Sequence, residues 1–320
     1  MKEFGIRIGI VGTGRIAKRF VPEAEFVDEV SLSCVYNPHS GSASRFVQTL
    51  GVDIAATDSV EKFCEMADAV YIASPHDTHY EYVKYFLEAG KHVLCEKPLC
   101  FSEAEALELF KTANERGLVL MEAVKTAYCP GFAELLRVAG SGVIGEIKDI
   151  ESCFTKLSAK DSRELNSDKY SGSFFDLGSY VLLPAIKLLG RPDSVDFISI
   201  MAGKADGFTK ANLSYTGKNA YALAKTGLTV KSEGCLIISG TKGYILAKSP
   251  WWLTKYFEVR FDDPNVIEKH ECEFLGDGLR YEIRAFADRI NKRDVRDGLS
   301  PQESVWMAGV MERNVINGRL

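Results

Sequence analysis

The first 123 residues alternate between short apolar runs and amphipathic stretches, and this order leaves few folds open to the chain. Four runs have the length of a buried strand and lie at 6–11, 32–36, 69–73 and 92–95. Helical patterns follow them at 15–20, 42–50, 78–89 and 102–116. Strands that alternate with helices at this spacing form βαβ units. The sequence therefore predicts an α/β fold with an N-terminal doubly wound parallel sheet.

Beyond residue 124 the pattern changes to longer alternating segments, which favour antiparallel strands. They are interrupted by one helical pattern at about 176–189, and two more helices are predicted at about 279–292 and 301–316. A chain of 320 residues is long enough for two cores. We expect a dinucleotide-type domain over 1–123 and a C-terminal α+β domain over 124–320 with a large, mostly antiparallel open sheet.

Composition excludes several classes of protein. The net charge of −5 gives no reason to expect nucleic-acid binding, and no stretch approaches the roughly 20 apolar residues of a membrane span. The eight cysteines are scattered without a Cys-x-x-Cys pair, which favours reduced thiols in the cytoplasm. The five histidines have no metal-ligand spacing, so no metal site is predicted.

A glycine-rich turn follows the first strand and opens the first helix. Gly12, Gly14 and Ala17 form a Gly-x-Gly-x-x-Ala pattern. The first glycine permits a tight turn, and the second lets backbone N–H groups approach a pyrophosphate at the helix N-terminus. The pattern predicts a Rossmann-type dinucleotide site formed by Gly12, Thr13, Gly14, Arg15 and Ile16.

The second strand ends without the acidic residue that usually binds the ribose 2′-hydroxyl of NAD. Asn37 stands there, and His39 follows it at the predicted border of the adenosine ribose. The nearest arginine, Arg45, lies a helical turn or more away, although Ser40 and Ser42 offer hydroxyl groups. Both NAD and NADP stay open, and the missing carboxylate favours NADP slightly.

Several short motifs occur together along the chain. They are Ala73-Ser74-Pro75-His76 with His79, Glu96-Lys97-Pro98, Glu122-Ala123 and Asp176-Leu177-Gly178-Ser179-Tyr180. In this order the set resembles the Gfo/Idh/MocA oxidoreductases over nearly the whole chain. Within that family the chain is most similar to the dihydrodiol dehydrogenase and xylose dehydrogenase branch, which carries Tyr at the position of Tyr180.

The resemblance implies that Ser74, Pro75, His76, His79, Glu96 and Lys97 border the nicotinamide cofactor. It also implies a Lys97–Pro98 peptide that is often cis. Lys97 suits a catalytic role on chemical grounds, because carbonyl reduction leaves an alkoxide that needs a proton and a nearby positive charge. The alternative reading of His79 is a cap on the following helix, and that of Lys97 is a solvated loop lysine.

Tyr180 is the second catalytic candidate, since a phenol can donate to the same substrate oxygen. Asp176 precedes it by one helical turn and is predicted to orient Lys97 or Tyr180. The alternative for Tyr180 is a tyrosine packed in the core, and the alternative for Asp176 is a charge at the helix N-terminus that the helix dipole stabilises. Both residues enter the predicted catalytic set with Lys97, and Tyr180 also enters the predicted substrate site.

The chain departs from the related branch after Glu122-Ala123. An aromatic residue and an arginine usually follow there, whereas this chain has Lys125 and Tyr128. We expect both to face the substrate, with a solvated Lys125 as the alternative. We expect Trp251-Trp252 to pack under a loop, and an exposed pair at a subunit contact is the alternative.

These features together predict an NAD(P)-dependent oxidoreductase acting on CH–OH groups of a small sugar, polyol, inositol or trans-diol. Two alternatives stay open at this point. One is a cofactor-binding regulatory protein without turnover, and the other is a reductase of an unrelated substrate such as a tetrapyrrole. The resemblance further implies a homodimer or higher homo-oligomer formed through the C-terminal sheet.

Overall fold

The computed structural model describes residues 5–167, 169–295 and 297–317. The chain divides into two compact units. The first comprises Met1–Cys100, Ala104–Tyr128 and Leu275–Pro301, and the second comprises Phe101–Glu103, Cys129–Phe274 and Gln302–Leu320. The first unit thus takes up a late segment of the chain, and the functional boundary predicted at 123 stays a prediction.

Strands and helices alternate early and strands dominate later. The strands are β1 (Ile6–Val11), β2 (Val30–Tyr36), β3 (Ala55–Thr57), β4 (Ala69–Ile72), β5 (His92–Glu96), β6 (Leu120–Ala123), β7 (Ile147–Thr155), β8 (Ser194–Ala202), β9 (Ala205–Tyr215), β10 (Ala220–Gly227), β11 (Leu236–Gly240), β12 (Tyr244–Ala247), β13 (Tyr256–Arg260) and β14 (Ile267–Glu271). The helices are α1 (Arg15–Ala24), α2 (Ser42–Leu50), α3 (Val60–Met66), α4 (His79–Glu88), α5 (Glu103–Glu115), α6 (Pro130–Gly140), α7 (Arg163–Asn166), α8 (Ser173–Leu189), α9 (Leu279–Ile290) and α10 (Pro301–Asn317).

The first unit is built on a parallel sheet in the order β3-β2-β1-β4-β5-β6. Every residue of β4 is buried, as expected for a strand covered on both faces. The reversal of strand order lies between β1 and β4, and ligands of open α/β sheets bind outside the carboxyl ends of the strands at such a point. The predicted doubly wound sheet is confirmed.

The late segment of the first unit is anchored by an ion pair. On α9, Arg280 binds both carboxylate oxygens of Glu23 on α1, at 2.7 and 3.1 Å, and Glu23 is 5% exposed. Glu23 also accepts the backbone N–H groups of Asp277 and Arg280. These bonds satisfy a buried carboxylate whose desolvation is otherwise costly. Helix α9 is therefore an integral part of the first unit.

The second unit contains an eight-stranded sheet in the order β14-β13-β12-β11-β7-β10-β9-β8. All neighbouring strands are antiparallel except β7 and β10, so the predicted mostly antiparallel sheet is confirmed. The edge strand β14 was not predicted, because its sequence Ile-Glu-Lys-His-Glu is short, charged and largely exposed.

Helix α8 begins at Ser173, three residues before the predicted start at 176. The cause is Asp206, whose carboxylate accepts the Ser173 hydroxyl at 2.6 Å and the Phe174 N–H at 3.0 Å. A carboxylate in this position caps a helix N-terminus. Because Asp206 lies 33 residues after Ser173, no local sequence pattern predicts this cap.

Among the described residues, no helix combines the length and apolar character that crossing a membrane requires.

Candidate active site

The turn between β1 and α1 is formed by Gly12 to Gly14. Gly12 has a φ of +100°, and a Cβ added to it would lie 2.6 Å from the carbonyl oxygen of Ala73. A Cβ on Gly14 would come no closer than 4.0 Å to the same oxygen. Ala17 is fully buried, as close packing of α1 on the sheet requires. Gly12 is thus required for the close approach of this turn to the end of β4, and the turn at the N-terminus of α1 fits a dinucleotide pyrophosphate.

Asn37 connects this turn to the loop after β2. Its Nδ2 donates to Thr13 Oγ1 at 3.0 Å, and its Oδ1 accepts the His39 N–H at 2.9 Å. The amide therefore fixes both loops from one position. A bordering role at the adenosine ribose stays a prediction for Asn37 and His39.

His79 is completely buried at the start of α4. Its Nδ1 lies 2.7 Å from the carbonyl oxygen of Pro98, and its Nε2 lies 3.2 Å from that of Ser74. Burial lowers the pKa of His79, so the ring is neutral and has one N–H, which we place on Nδ1 for the shorter bond. The alternative of a helix cap is wrong, because the ring holds the loop after β5 instead.

Lys97 is half-buried directly after the carboxyl end of β5. The Lys97–Pro98 peptide is cis, as the resemblance implied. His76 is half-buried, and its ring lies 5.6 Å from that of His79 in an edge-to-face arrangement. The first unit therefore brings the loops of Ser74 to His79 and of Glu96 to Pro98 together, through the bond from His79 to Pro98.

Glu96 belongs to a buried polar cluster below this loop. The Tyr71 hydroxyl donates to its Oε1 at 2.6 Å. On α9, Glu282 is completely buried, and neither carboxyl oxygen has a hydrogen-bond partner among the described residues. Burial raises the pKa of both carboxyls, that of Glu282 well above its usual range, and Lys125 opposes both shifts. Burial therefore favours the protonated form of Glu282 more strongly than that of Glu96.

The two substrate candidates of the first unit are both buried. Lys125 donates to the carbonyl oxygen of Asp277 at 2.7 Å, so the alternative of a solvated lysine is wrong. The Tyr128 hydroxyl donates to the carbonyl oxygen of Glu122 at 3.0 Å. These bonds tie each side chain to the first unit's own backbone, and a substrate role for either residue stays a prediction.

In the second unit, Tyr180 and Asp176 lie one turn apart on α8, and both are partly exposed. Asp176 Oδ2 pairs with Lys156 Nζ at 2.7 Å, which the sequence did not predict. The ring of Tyr180 packs against Phe154, so the alternative of a packed tyrosine stays open. Its predicted catalytic role and that of Asp176 stay predictions.

An aromatic cluster continues from Tyr180. Its ring centroid lies 5.4 Å from that of Phe154 on β7, and Trp252 stacks on Phe154 at 3.6 Å with planes 6° apart. Trp252 is partly exposed, whereas Trp251 is buried and donates Nε1–H to the carbonyl oxygen of Cys153 at 2.9 Å. The predicted packing under a loop holds for Trp251, and Trp252 is linked to Tyr180 through the Phe154 ring.

The sequence analysis did not single out Glu282, Phe154 or Lys156, and it considered Trp252 only for packing or a subunit contact. A signal existed for Glu282, which falls among Leu279, Ile283 and Phe286 on the apolar face of α9. An acidic residue at such a position is rarely buried without a reason. No comparable local signal marks Phe154 or Lys156. Within the described residues, no group of three or more His, Cys, Asp or Glu side chains could hold a metal ion.

Comparison with known proteins agrees with this geometry. A family model described as "Oxidoreductase family, NAD-binding Rossmann fold" matches residues 6–124. The chain is 33% identical over 225 residues to the scyllo-inositol 2-dehydrogenase (NADP(+)) IolU of Bacillus subtilis, covering 67% of this chain and 68% of that relative. It is 32% identical over 298 residues to the dTDP-3,4-didehydro-2,6-dideoxy-alpha-D-glucose 3-reductase of Actinomadura kijaniata, covering 89% and 87%.

A human trans-1,2-dihydrobenzene-1,2-diol dehydrogenase is 27% identical over 322 residues, covering 96% of this chain and 95% of that relative. Among solved structures, KijD10, a 3-ketoreductase from Actinomadura kijaniata in complex with NADP and TDP-benzene, superposes with a TM-score of 0.82 at 24% identity. That match covers 97% of this chain and 96% of KijD10, and it shows a shared fold. The glycine-rich turn, the Glu-Lys-Pro loop and these relatives identify the chain as a member of the Gfo/Idh/MocA family of NAD(P)-dependent oxidoreductases.

Proposed function

We propose that the protein transfers hydride between NADP(H) and a carbonyl or alcohol carbon of a small polyhydroxylated molecule. The substrate class is a sugar, a polyol, an inositol or a cyclic trans-diol. The observation that carries this proposal is the position of Lys97, half-buried at the carboxyl end of β5 on a loop that neutral His79 holds. The names of the relatives, which act on inositols, sugars and diols, support the substrate class.

The cofactor would be held by the Gly12–Ile16 turn, with Asn37 and His39 at the ribose and Ser74 to His79 and Glu96 to Lys97 along the nicotinamide. When bound, the nicotinamide supplies or takes up the hydride. In reduction, Lys97 Nζ donates a proton to the oxygen of the carbon that becomes tetrahedral, and in oxidation it receives that proton. Its positive charge stabilises the developing oxyanion.

Tyr180 is proposed to donate a second hydrogen bond to the substrate oxygen. Asp176 holds Lys156 close to the tyrosine, and this ion pair supplies polar groups that can orient hydroxyl groups of a substrate. The face of Trp252 that is not stacked on Phe154 is proposed as a surface for the apolar face of a sugar or cyclic diol ring. Lys125 and Tyr128 are proposed to act on the substrate only indirectly, because their polar atoms bind backbone carbonyls.

The experiment is a set of initial-rate assays that follow nicotinamide absorbance with a panel of inositols, polyols, sugars and trans-diols. Lys97→Met is expected to lower kcat by about 100-fold or more, the size of a lost general acid. Tyr180→Phe is expected to lower kcat by roughly 10-fold, as a single hydrogen bond would. Lys62→Met, on the exposed surface of α3, is the matched control. Turnover of Lys97→Met within twofold of the wild type would contradict the assignment.

We further propose a homodimer or higher homo-oligomer formed through the second unit's sheet. Ile198, Ile200 and Met201 on β8 and Tyr221 on β10 are each at least half exposed, which is unusual for large apolar side chains on one sheet. Light scattering of the wild type and of Ile198→Asp would test this, with a smaller particle expected for the variant. All eight cysteines are free, which supports the predicted cytoplasmic location.

A further inference from the structure

Two cysteines lie opposite each other on neighbouring strands of the second unit's sheet. In the antiparallel pair of β7 and β11, Leu236 is the partner of Ser152, so Cys235 stands opposite Cys153. The Cys153 N–H donates to the Cys235 carbonyl oxygen at 2.9 Å, which continues the pairing one residue before β11 begins. Opposed residues of this kind have Cα atoms about 5.5 Å apart, and disulfides join Cα atoms about 4.4–6.8 Å apart. The register therefore brings the two cysteines within the range of a disulfide.

Both thiols point to the face of the sheet that is turned away from α8. The hydroxyl of Ser152 donates to a backbone carbonyl oxygen of α8, so the side chain of Ser152 faces that helix. Successive side chains of a strand point to opposite faces, so Cys153 faces away from α8. Directly opposed residues of an antiparallel pair share a face, and Cys235 therefore points the same way.

The surroundings give the two thiols different roles. Cys235 is partly exposed, whereas only 4% of Cys153 is exposed. Burial raises the pKa of both thiols, and the charge of Lys225, the partner of Cys153 on β10, opposes that shift at each of them. Cys235 is therefore the thiol that an oxidant in solution reaches, and Cys153 is the neighbouring thiol that can react with the oxidised sulfur.

We propose that Cys153 and Cys235 are a redox modification site, at which hydrogen peroxide closes a reversible disulfide between β7 and β11. The Cys235 thiolate attacks a peroxide oxygen, the O–O bond breaks, and Cys235 becomes a sulfenic acid. The hydroxide that leaves takes up the proton that the Cys235 thiol released. The Cys153 thiol then attacks the oxidised sulfur, the S–S bond forms, and the sulfenic oxygen leaves as water with the thiol proton. Two thiols are thus oxidised while one peroxide is reduced to two waters, and a dithiol reductant reverses the change.

The disulfide would join two segments that hold the indole pair of the second unit. The Cys153 carbonyl oxygen accepts the Trp251 indole N–H at 2.9 Å, and the ring of the next residue stacks on Trp252. Gly234, which precedes the second cysteine, lies so close to Trp252 that an added Cβ would be 3.1 Å from its ring. If Trp252 contacts the substrate, which rests on the proposed function, closing the disulfide changes substrate binding and leaves cofactor binding unchanged.

The test treats the reduced protein with hydrogen peroxide and maps disulfides by mass spectrometry of proteolytic peptides. A peptide that joins Cys153 to Cys235 is expected, together with the loss of two of the eight thiols in a titration of the denatured protein. Dithiothreitol should restore both thiols. Cys235→Ser is expected to lose neither of these two thiols as a disulfide. Cys153→Ser is expected to leave a sulfenic acid on Cys235, which dimedone traps.

Cys272→Ser is the matched control. Cys272 is also partly exposed, but its backbone N–H bonds to Lys255 and not to a cysteine, so peroxide should still close the disulfide in this variant. A sulfinic acid on Cys235 without the joined peptide, or a peptide that joins another pair of cysteines instead, would overturn the proposal. These results need neither substrate nor turnover, so they are independent of the proposed function, and the mapping of the wild type holds even if Cys153→Ser fails to fold.

Rate assays then measure the effect on the substrate surface. The oxidised wild type is expected to show a KM changed by about threefold or more, the size of a disturbed aromatic contact, with the same dissociation constant for NADPH. Peroxide-treated Cys235→Ser is expected to keep its KM. A joined peptide with an unchanged KM would show that the disulfide forms but does not act on Trp252.

Discussion

The candidate site residues of the two units are held in different ways. In the first unit, His79, Lys125 and Tyr128 each bind a backbone carbonyl oxygen and are buried. In the second unit, Tyr180 and Trp252 contact Phe154 through ring faces and edges, and they are partly exposed. The first arrangement fixes loops, whereas the second leaves side-chain surfaces available to a ligand.

We interpret this difference as a separation of roles, in which the first unit binds the cofactor and the second unit binds the substrate. A cofactor that is the same in every turnover favours loops fixed by buried bonds, because pre-organisation lowers the cost of binding. A substrate class with variable hydroxyl groups favours a surface of rings and one ion pair. If this interpretation is correct, changes in the first unit affect cofactor binding or stability, and changes in the second affect substrate binding.

The largest effect is expected from Gly12→Ala. The new Cβ would lie 2.6 Å from the Ala73 oxygen, and a positive φ costs a residue with a side chain about 1–2 kcal/mol. NADPH binding, measured by calorimetry, is expected to weaken by about 100-fold or more, on the scale where 1.4 kcal/mol is tenfold. Gly51→Ala is the matched control, because Gly51 also has a positive φ of +64° but nothing lies within 4 Å of the added Cβ. Equal losses in both variants would mean that strain alone explains the result.

The next effect concerns the second unit. Trp252→Leu removes the ring that stacks on Phe154 and is expected to raise KM by roughly 10-fold, as lost aromatic contacts of about 1 kcal/mol or more would. The dissociation constant of NADPH should stay unchanged. Tyr85→Leu, an exposed aromatic change on α4, serves as the control. A larger dissociation constant for NADPH with an unchanged KM would contradict the proposal that the second unit binds the substrate and the first binds the cofactor.

Glu282→Gln tests the buried cluster of the first unit. Burial raises the pKa of Glu282 well above its usual range, so the wild-type protein loses stability as the pH rises from about 4.5, where the unfolded carboxyl ionises, through the folded pKa. The neutral glutamine has no such loss. Urea unfolding should show a variant more stable than the wild type by on the order of 1 kcal/mol at pH 8, with a smaller difference at pH 5. A variant that becomes relatively less stable as the pH rises would show that Glu282 is ionised and paired.

The smallest effect is expected from His79→Asn, whose amide can replace the donor to the Pro98 oxygen. Burial lowers the pKa of His79, so the wild type loses stability as the pH falls below about 6.5, where the unfolded imidazole binds a proton that the folded one does not. The free energy of unfolding should fall less in the variant than in the wild type between pH 7.5 and 5.5, by less than about 1 kcal/mol. Identical pH slopes would mean that the folded ring takes up the proton.

Sequence patterns predicted the parallel sheet and the loops of the first unit well, because their signals are local. The Gly12 turn and the lysine after β5 each depend on a few adjacent residues. The start of α8 and the surface beside Tyr180 depend on contacts between distant residues, such as Asp206 with Phe174 and Trp252 with Phe154. Such contacts follow from strand order and register, and a single sequence carries no periodic signal for them.

The placement of α9 in the first unit affects how the polypeptide can be made and divided. During synthesis, the ribosome releases Glu23 257 residues before Arg280, the partner that binds its buried carboxylate. Until Arg280 has emerged, burying Glu23 in a folded N-terminal sheet would leave its carboxylate without this partner. A fragment ending at residue 123 should be poorly stable when expressed alone, and supplying a peptide with the sequence of 275–301 in trans should restore it.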